Sequence, residues 1–341
     1  METVEIDGSF GEGGGQILRT ALGLSCVTGK EFRIFNIRKE RKKPGLMPQH
    51  MTCVNAASGI CNARVSGNGT GSTELSFVPG RVRHGSFFFD IKTAGSSSLV
   101  FQTVLPPLLF ADQPSHVTIR GGTHVPLSPS YHYIAEIFVP MLDRLGVKIG
   151  PSISIYGFYP KGGGEVRFNI HPIGKIKGVN AVSKGRLLSI AGYSAVSNLP
   201  RHIAERQKSA VMQSLSPLHA DIDVIDVPSP GQGTFVFLRG EYENSLTGFS
   251  ALGARGKPAE EVGREAAALF KDFHDAPICL DPHLADQMVI YLSLSREEST
   301  FTTRITQHLV TNLWVIEKFL KMRYQLEGNL NSAGKITLYP S

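Results

Sequence analysis

The side chains of this 341-residue chain whose type and spacing could carry chemistry fall in four short stretches. His308 stands at the front of RITQHLVTNLWVIEKF, residues 304–319. Glu12 sits inside the glycine loop GEGGGQ, residues 11–16, and a basic run, RKERKK, covers residues 38–43. Asp286 and Gln287 close the segment HLADQ. Glycines, arginines, an acid and one histidine suit phosphoryl or nucleotidyl transfer. That chemistry needs cationic clamps and a divalent ion to neutralise phosphate oxygens, with one nucleophile in line. A histidine near a helix N-terminus feels the positive end of the macrodipole, which disfavours imidazolium and leaves a neutral, nucleophilic ring. A plainer reading has His308 only capping or packing the helix start. Glu12 is harder to explain as structure, because a carboxylate among phosphate-facing amides repels phosphate unless it holds a metal ion.

The elements that must position these groups follow from periodicity. Leu309, Leu313, Ile316 and Leu320 make a helical stripe behind His308, with Thr303 and Thr306 as candidate caps. At the other end of the chain a strand over 2–7 leads through the glycine loop into a helix carrying Ile17, Leu18, Ala21, Leu22 and Leu24, ended by Gly29. This strand–loop–helix order can offer backbone N–H groups to an anion. It is neither a dinucleotide fingerprint nor a P-loop. Further strands are expected at 31–37, 73–79, 86–92, 117–121 and 153–156, and helices at 48–63 and 131–145. A helix capped by Ser96–Ser98 should be bent or broken by Pro106–Pro107. Gln102 is polar within its apolar run.

A triple glycine followed by a polar residue occurs at Gly13–Gln16 and again at Gly162–Glu165, which suggests duplicated αβ units forming one composite core. From about Ser183 strands alternate with helices until about Pro277, and this stretch reads as a smaller domain, 183–277, inserted into a larger one, 1–182 and 278–341. A helix over 282–294, a strand over 299–305, the His308 helix and a strand over 335–338 complete the chain.

Composition narrows the function classes. The net charge of +6 favours an anionic partner, though a solvated basic surface gives the same figure. Hydrophobic content of 41% with no long apolar run or signal pattern indicates a soluble, cytoplasmic protein with no membrane partner. Cys26, Cys53, Cys61 and Cys279 have no C-x-x-C spacing and read as buried free thiols. There is no Ser-His-Asp order, no H-E-x-x-H and no aromatic-rich RNA-binding signature.

The segments DGSFGEGGGQILR, IRKERKKPGLMPQH, AGSSSLVFQTVLP, GFYPKGGGEV, HLADQ and HLVTNLWVIEKF together resemble the RNA 3′-terminal phosphate cyclase family, in family order from Asp7 to the C-terminus. The resemblance implies an α/β (α+β) fold. Its large domain has three repeated units, each packing two helices on a four-stranded sheet, and its inserted small domain is thioredoxin-like. It implies a ligase-type enzyme that uses ATP and a divalent metal (Mg or Mn) to turn an RNA 3′-phosphate into a 2′,3′-cyclic phosphate. His308 would be the nucleophile that carries AMP. ATP contacts would fall to Gln102, Pro129, His283, Leu284, Ala285, Asp286 and Gln287. Substrate contacts would fall to Arg19, Arg38, Arg41 and Gln49, and the metal to Glu12. Bacterial members commonly have tyrosine where this chain has His283, so any stacking on adenine there would use an imidazole. RNA with a 3′-terminal phosphate is the expected partner, and the oligomeric state stays open, a homodimer included. The alternatives are a cyclase-like ribosome-biogenesis factor without catalysis, which lacks the histidine, and an enolpyruvyl transferase, which has none of these motifs.

Overall fold

In the computed structural model, which describes residues 3–340, the chain forms four four-stranded sheets, and three of them share one topology. The first unit runs β1 (Val4–Asp7), α1 (Gly15–Thr28), β2 (Phe32–Phe35), α2 (Pro48–Cys61), β3 (Arg64–Ser66) and β4 (Leu75–Val78). Its strand order is β1-β2-β4-β3, and only the β1–β2 pair is parallel. The second unit repeats this with β5 (Ser86–Asp90), α3 (Ser97–Leu108), β6 (Ser115–Gly121), α4 (Tyr131–Tyr133) running on into α5 (Val139–Arg144), β7 (Ile149–Ile155) and β8 (Gly164–Ile170). Again the order is β5-β6-β8-β7 with one parallel pair.

The third unit opens with β9 (Asn180–Ala181) and is then interrupted. The interruption holds β10 (Leu187–Ser197), α6 (His202–Leu215), β11 (Asp221–Asp226), β12 (Gly233–Tyr242), β13 (Leu246–Leu252) and α7 (Ala259–Asp275). Its sheet, β11-β10-β12-β13, has its own core, in which Val236, Leu238 and Phe249 meet Val262, Ala266 and Phe270 of α7. The third unit resumes with α8 (Pro282–Leu294), β14 (Ser299–Arg304), α9 (Gln307–Phe319), β15 (Arg323–Glu327) and β16 (Ala333–Tyr339), giving β9-β14-β16-β15 with β9–β14 parallel. The helices of the three units face one another. Helix α1 packs on α2, α3 and α9, and α8 on α9. One hydrophobic core therefore runs through all three units.

The structure departs from the sequence reading at several places. The two triple glycines are not equivalent: the first joins β1 to α1, the second joins β7 to β8. The repetition is real, but it starts at residues 4, 86 and 180. Pro106 and Pro107 do not break α3, which ends at Leu108. A proline costs the hydrogen bond it would have donated, and so near the C-terminus little of the helix remains to be disturbed. The helix expected over 131–145 contains a π-turn, Ile134–Phe138, just ahead of Pro140. The basic run follows a shorter strand, because Asn36 and Arg38 take positive φ. Strand β13 continues from β12 through a tight turn where the sequence reading goes straight to a helix. Glu2, placed in the first strand by that reading, lies outside the described residues. All four cysteines are buried and free, with Cys26 Sγ 3.6 Å from Cys61 Sγ. Among the described residues no helix is long and apolar enough to cross a membrane.

Candidate active site

Four helix N-termini and the basic loop converge on a cleft of about 1060 Å3. Helix α1 brings Gly15, Gln16, Arg19 and Thr20. Helix α8 brings His283, Asp286 and Gln287, and α9 brings His308 and Asn312. Arg38, Arg41, Lys42 and Lys43 stand along the basic loop, Gln49 and His50 open α2, and Gln102 comes from α3. The fourth wall belongs to the inserted sheet: Gly248, Phe249 and Ser250 of β13 with Leu269 of α7, meeting the loop that holds Pro129. Ser130 Oγ and Ser250 Oγ lie 2.8 Å apart across that junction.

Helix α9 begins where it does because Thr306 caps it, its Oγ1 accepting from Leu309 N–H at 2.9 Å. Thr303, the other candidate cap, lies within β14. The Thr306 hydroxyl donates in turn to Asp286 Oδ1 at 2.7 Å, and Asn312 Nδ2 donates to the Asp286 carbonyl at 2.8 Å. From the other side, Gln16 Nε2 donates to the His308 carbonyl at 3.0 Å and Thr20 Oγ1 to Asn312 Oδ1 at 3.0 Å. The first turn of α9 is therefore held by both neighbouring helices. Of the stripe read from sequence, Leu309, Leu313 and Ile316 are buried, and Leu320 lies one residue past the helix.

His308 leaves this frame half-exposed, with its Nδ1 against Glu12 Oε2. The other Glu12 oxygen takes Arg41 Nη2. Desolvation lowers the His308 pKa; Glu12 opposes that, and Arg19, His283 and Arg41 add to it. The balance favours the neutral ring, with desolvation as the main cause. With Nδ1–H donated to Glu12, the Nε2 lone pair is free to act as a nucleophile.

Asp286 has its pKa pushed up to about 8. Desolvation leads, Asp281 and Glu12 add to it, and the Thr306 hydrogen bond opposes it. His50, buried beneath Gly15 with its Nδ1 accepting from Met47 N–H, is pushed down to about 3 by desolvation and then by Arg19 and Arg38. Arg19 lies between these groups and forms no ion pair with any carboxylate among the described residues. A cation without a counter-charge in a cleft is a place for an anion.

The residues singled out from sequence are placed as follows. His308, Glu12, Arg19, Arg38, Arg41, Gln49, Gln102, Pro129, His283, Asp286 and Gln287 all line this cleft. Leu284 and Ala285 do not: both side chains are fully buried, as the inward face of α8 requires. Arg38 folds back on its own loop, donating to the Lys43 and Gly45 carbonyls, so part of its hydrogen-bonding capacity is spent on structure. Gln49 similarly accepts from Ser96 N–H at 2.8 Å. Gln102 Nε2 donates to Gln287 Oε1, and Gln287 Nε2 to the His283 carbonyl at 2.9 Å. Glu12 as a metal ligand is compatible with the geometry. Its Oε2 has no hydrogen-bond donor other than the His308 ring nitrogen it faces. No set of three His, Cys, Asp or Glu among the described residues could hold a cation alone.

Sequence reasoning passed over Gln16, Thr20, Asn312, Tyr133 and the β13–α7 wall. None carries a local signal, since each contributes through a contact distant in the chain.

Comparison with known proteins gives the family of the chain. The family model for RNA 3′-terminal phosphate cyclase matches residues 10–326. The chain is 45% identical over 332 residues to the protein of that name from Sulfolobus acidocaldarius, covering 96% of this chain and 97% of the relative. It is 44% identical over 330 residues to the one from Pyrobaculum neutrophilum, covering 95% of each chain. Identity is also 44% over 330 residues to the one from Methylococcus capsulatus, covering 94% and 91%.

Proposed function

Because the chain belongs to the RNA 3′-terminal phosphate cyclase family, we propose that it uses ATP to close an RNA 3′-phosphate into a 2′,3′-cyclic phosphodiester, through AMP carried covalently on His308. The observation that supports this most directly is His308, its Nδ1 engaged by Glu12, in the same cleft as the unpaired Arg19.

In the first step the His308 Nε2 lone pair attacks the α-phosphorus of ATP. A P–N bond forms, the bond to diphosphate breaks, and Glu12 stabilises the positive ring through Nδ1–H. Arg19, Arg41 and Lys42 suit the charge on the leaving diphosphate. A divalent ion, Mg or Mn, shared between Glu12 and the phosphates would supply further charge neutralisation. In the second step an oxygen of the RNA 3′-phosphate attacks the same phosphorus, the P–N bond breaks, and His308 returns to neutrality. In the third, the vicinal 2′-oxygen attacks the activated phosphate, loses its proton and expels AMP. That ring closure is intramolecular, so orientation supplies much of its advantage. His283, Pro129, Gln102 and Gln287 are assigned to the adenosine end of the cleft, and Asp286 to the ribose side.

Incubation with α-labelled ATP and magnesium tests the reading. Acid-labile, alkali-stable label should appear on the protein and vanish in His308→Ala. Label that persists in His308→Ala would remove His308 from the role, and an unlabelled wild type would leave a fold-sharing RNA-binding factor without catalysis.

A further inference from the structure

The residues just before Glu12 lie along α9 in a fixed register. Glu12 meets His308, Gly11 lies against Gln307 and Thr311, and Phe10 stacks on Trp314. Residues 308, 311 and 314 follow one ridge of the helix at intervals of three, so the loop runs antiparallel to α9 along a single stripe. The contact in the middle is close enough to admit no side chain. A Cβ on Gly11 would sit 2.4 Å from Thr311 Oγ1, and its φ of +61° already favours glycine. At the far end, the Phe10 and Trp314 rings lie 4.0 Å apart at 11°, with Lys318 Nζ 5.2 Å from the Trp314 centroid.

Phe10 is 37% exposed, so the ring is not placed there for burial alone. Between it and Glu12 there is only a glycine, which cannot hold a conformation by itself. The loop is also tied within itself, Phe10 N–H to the Asp7 carbonyl at 3.2 Å and Gly13 N–H to the Phe10 carbonyl at 3.0 Å, and across to the basic run by the contact of Arg41 with Glu12. Arg41 is itself about 40% exposed, on a long flexible stem. On the α9 side Gln16 Nε2 holds the His308 carbonyl beyond Glu12, and ahead of Glu12 the Phe10–Trp314 stack is the side-chain contact that ends the register.

We propose that the Phe10–Trp314 stack is a positioning strut that fixes Glu12 on His308 Nδ1 and so decides which ring nitrogen of His308 is free to attack. The proposal rests on the histidine–AMP reading for its catalytic consequence but not for its structural one. Without the strut, Glu12 samples other positions, the Nδ1–H form of His308 loses its preference, and AMP transfer slows with little change in ATP affinity.

The first readout needs no catalysis: long-range 15N–1H correlation spectra of the imidazoles at one fixed pH, with His308 assigned by its absence in His308→Ala. Wild type should show the Nδ1–H tautomer, and Phe10→Ala a mixture of both. The second readout is single-turnover adenylylation at saturating ATP. Its rate should fall roughly 10–100-fold in Phe10→Ala, the scale expected for small misplacement of a reacting group, while the ATP concentration at half-maximal rate moves less than about threefold. Phe10→Tyr and Trp314→Phe keep stacked rings and should restore both readouts; Phe10→Leu keeps apolar bulk and should restore neither. Should Phe10→Ala not fold, Phe10→Leu against Phe10→Tyr makes the same comparison. A wild-type tautomer in Phe10→Ala, or full recovery by Phe10→Leu, overturns the proposal. If wild type takes no label yet the tautomer still follows the stack, the strut stands and the histidine–AMP reading falls.

Discussion

The two triple-glycine loops share a sequence and do opposite work. At Gly11, Gly14 and Gly15 a substituted Cβ would meet side chains: buried Thr311 of α9, and Arg41, Arg19 and His50 of the cleft. At Gly157, Gly162 and Gly164 its nearest atoms would be backbone. A Cβ on Gly164 would lie 2.5 Å from Gly157 N, one on Gly157 2.3 Å from Gly121 O, and one on Gly162 2.7 Å from Thr93 O. The first loop uses its missing side chains to bring charged groups to a shared space. The second uses them to let strands and loops touch. A glycine run alone therefore does not mark a ligand site; what marks it is the chemistry of the groups it admits.

Breaking each loop in the same way should separate the two roles. Gly164→Ala forces backbone apart at the start of β8, where Gly164 pairs with Gly121 of β6. It should lower the melting temperature by roughly 5–10 °C, the scale of a core-strain substitution in a chain this long, while the surviving folded protein labels normally with ATP. Gly15→Ala puts a Cβ 2.3 Å from His50 Nε2 and 3.0 Å from Arg19 Nη1. It should cost roughly 10²-fold in adenylylation rate, since it displaces groups at the reacting end, with a smaller loss of melting temperature. Differential scanning calorimetry beside single-turnover labelling reads both. Equal stability losses, or activity lost equally in both, would erase the distinction.

A weaker effect lies in the cleft's carboxylates. Burial of Asp286 raises its folded-state pKa to about 8 from an ordinary value of 3.8. The native state therefore holds a proton that the unfolded chain has lost. The sign follows: wild-type stability declines as pH rises above about 4, and the decline levels off above about 8. Asp286→Asn keeps an oxygen to accept from Thr306 but has no charge to bury. Its melting temperature relative to wild type should climb from pH 4 to pH 8 and then flatten. A difference independent of pH would mean that Asp286 is ionised in the folded cleft.

Much of this was legible locally. The Thr306 cap, the stripe behind His308 and the candidate residues at the four helix starts are short-range patterns, and the structure gathers eleven of the named side chains in one cleft. The repeat is not legible in the triple glycines, which are not repeat-related; the equivalence lies in strand order, which needs pairing partners remote in sequence. Leu284 and Ala285 share a motif with Asp286 and Gln287, but the helical period turns the first two toward the core while the others face out. Gln16, whose amide reaches a carbonyl 292 residues away, and Phe249, delivered by a strand of the inserted sheet, could not be read from their own neighbourhoods.

The smallest effect concerns the lysines beside each loop. Lys42 lines the cleft and forms no ion pair among the described residues, whereas Lys161 in the second loop donates to the Pro230 carbonyl at 2.6 Å. If the first loop's surroundings bind RNA phosphate, Lys42→Ala removes one phosphate contact. The slope of log affinity against log salt should then flatten by about 0.7 for a single strand. Lys161→Ala should leave that slope unchanged, because its charge faces the inserted sheet and not the cleft. Fluorescence anisotropy of a 3′-phosphorylated oligoribonucleotide across a salt series measures both. A parallel shift in the two variants would mean that the protein's general positive field draws the RNA. A flattening in Lys42→Ala alone would place a phosphate at the rim of the cleft, next to the glycine loop that carries Glu12.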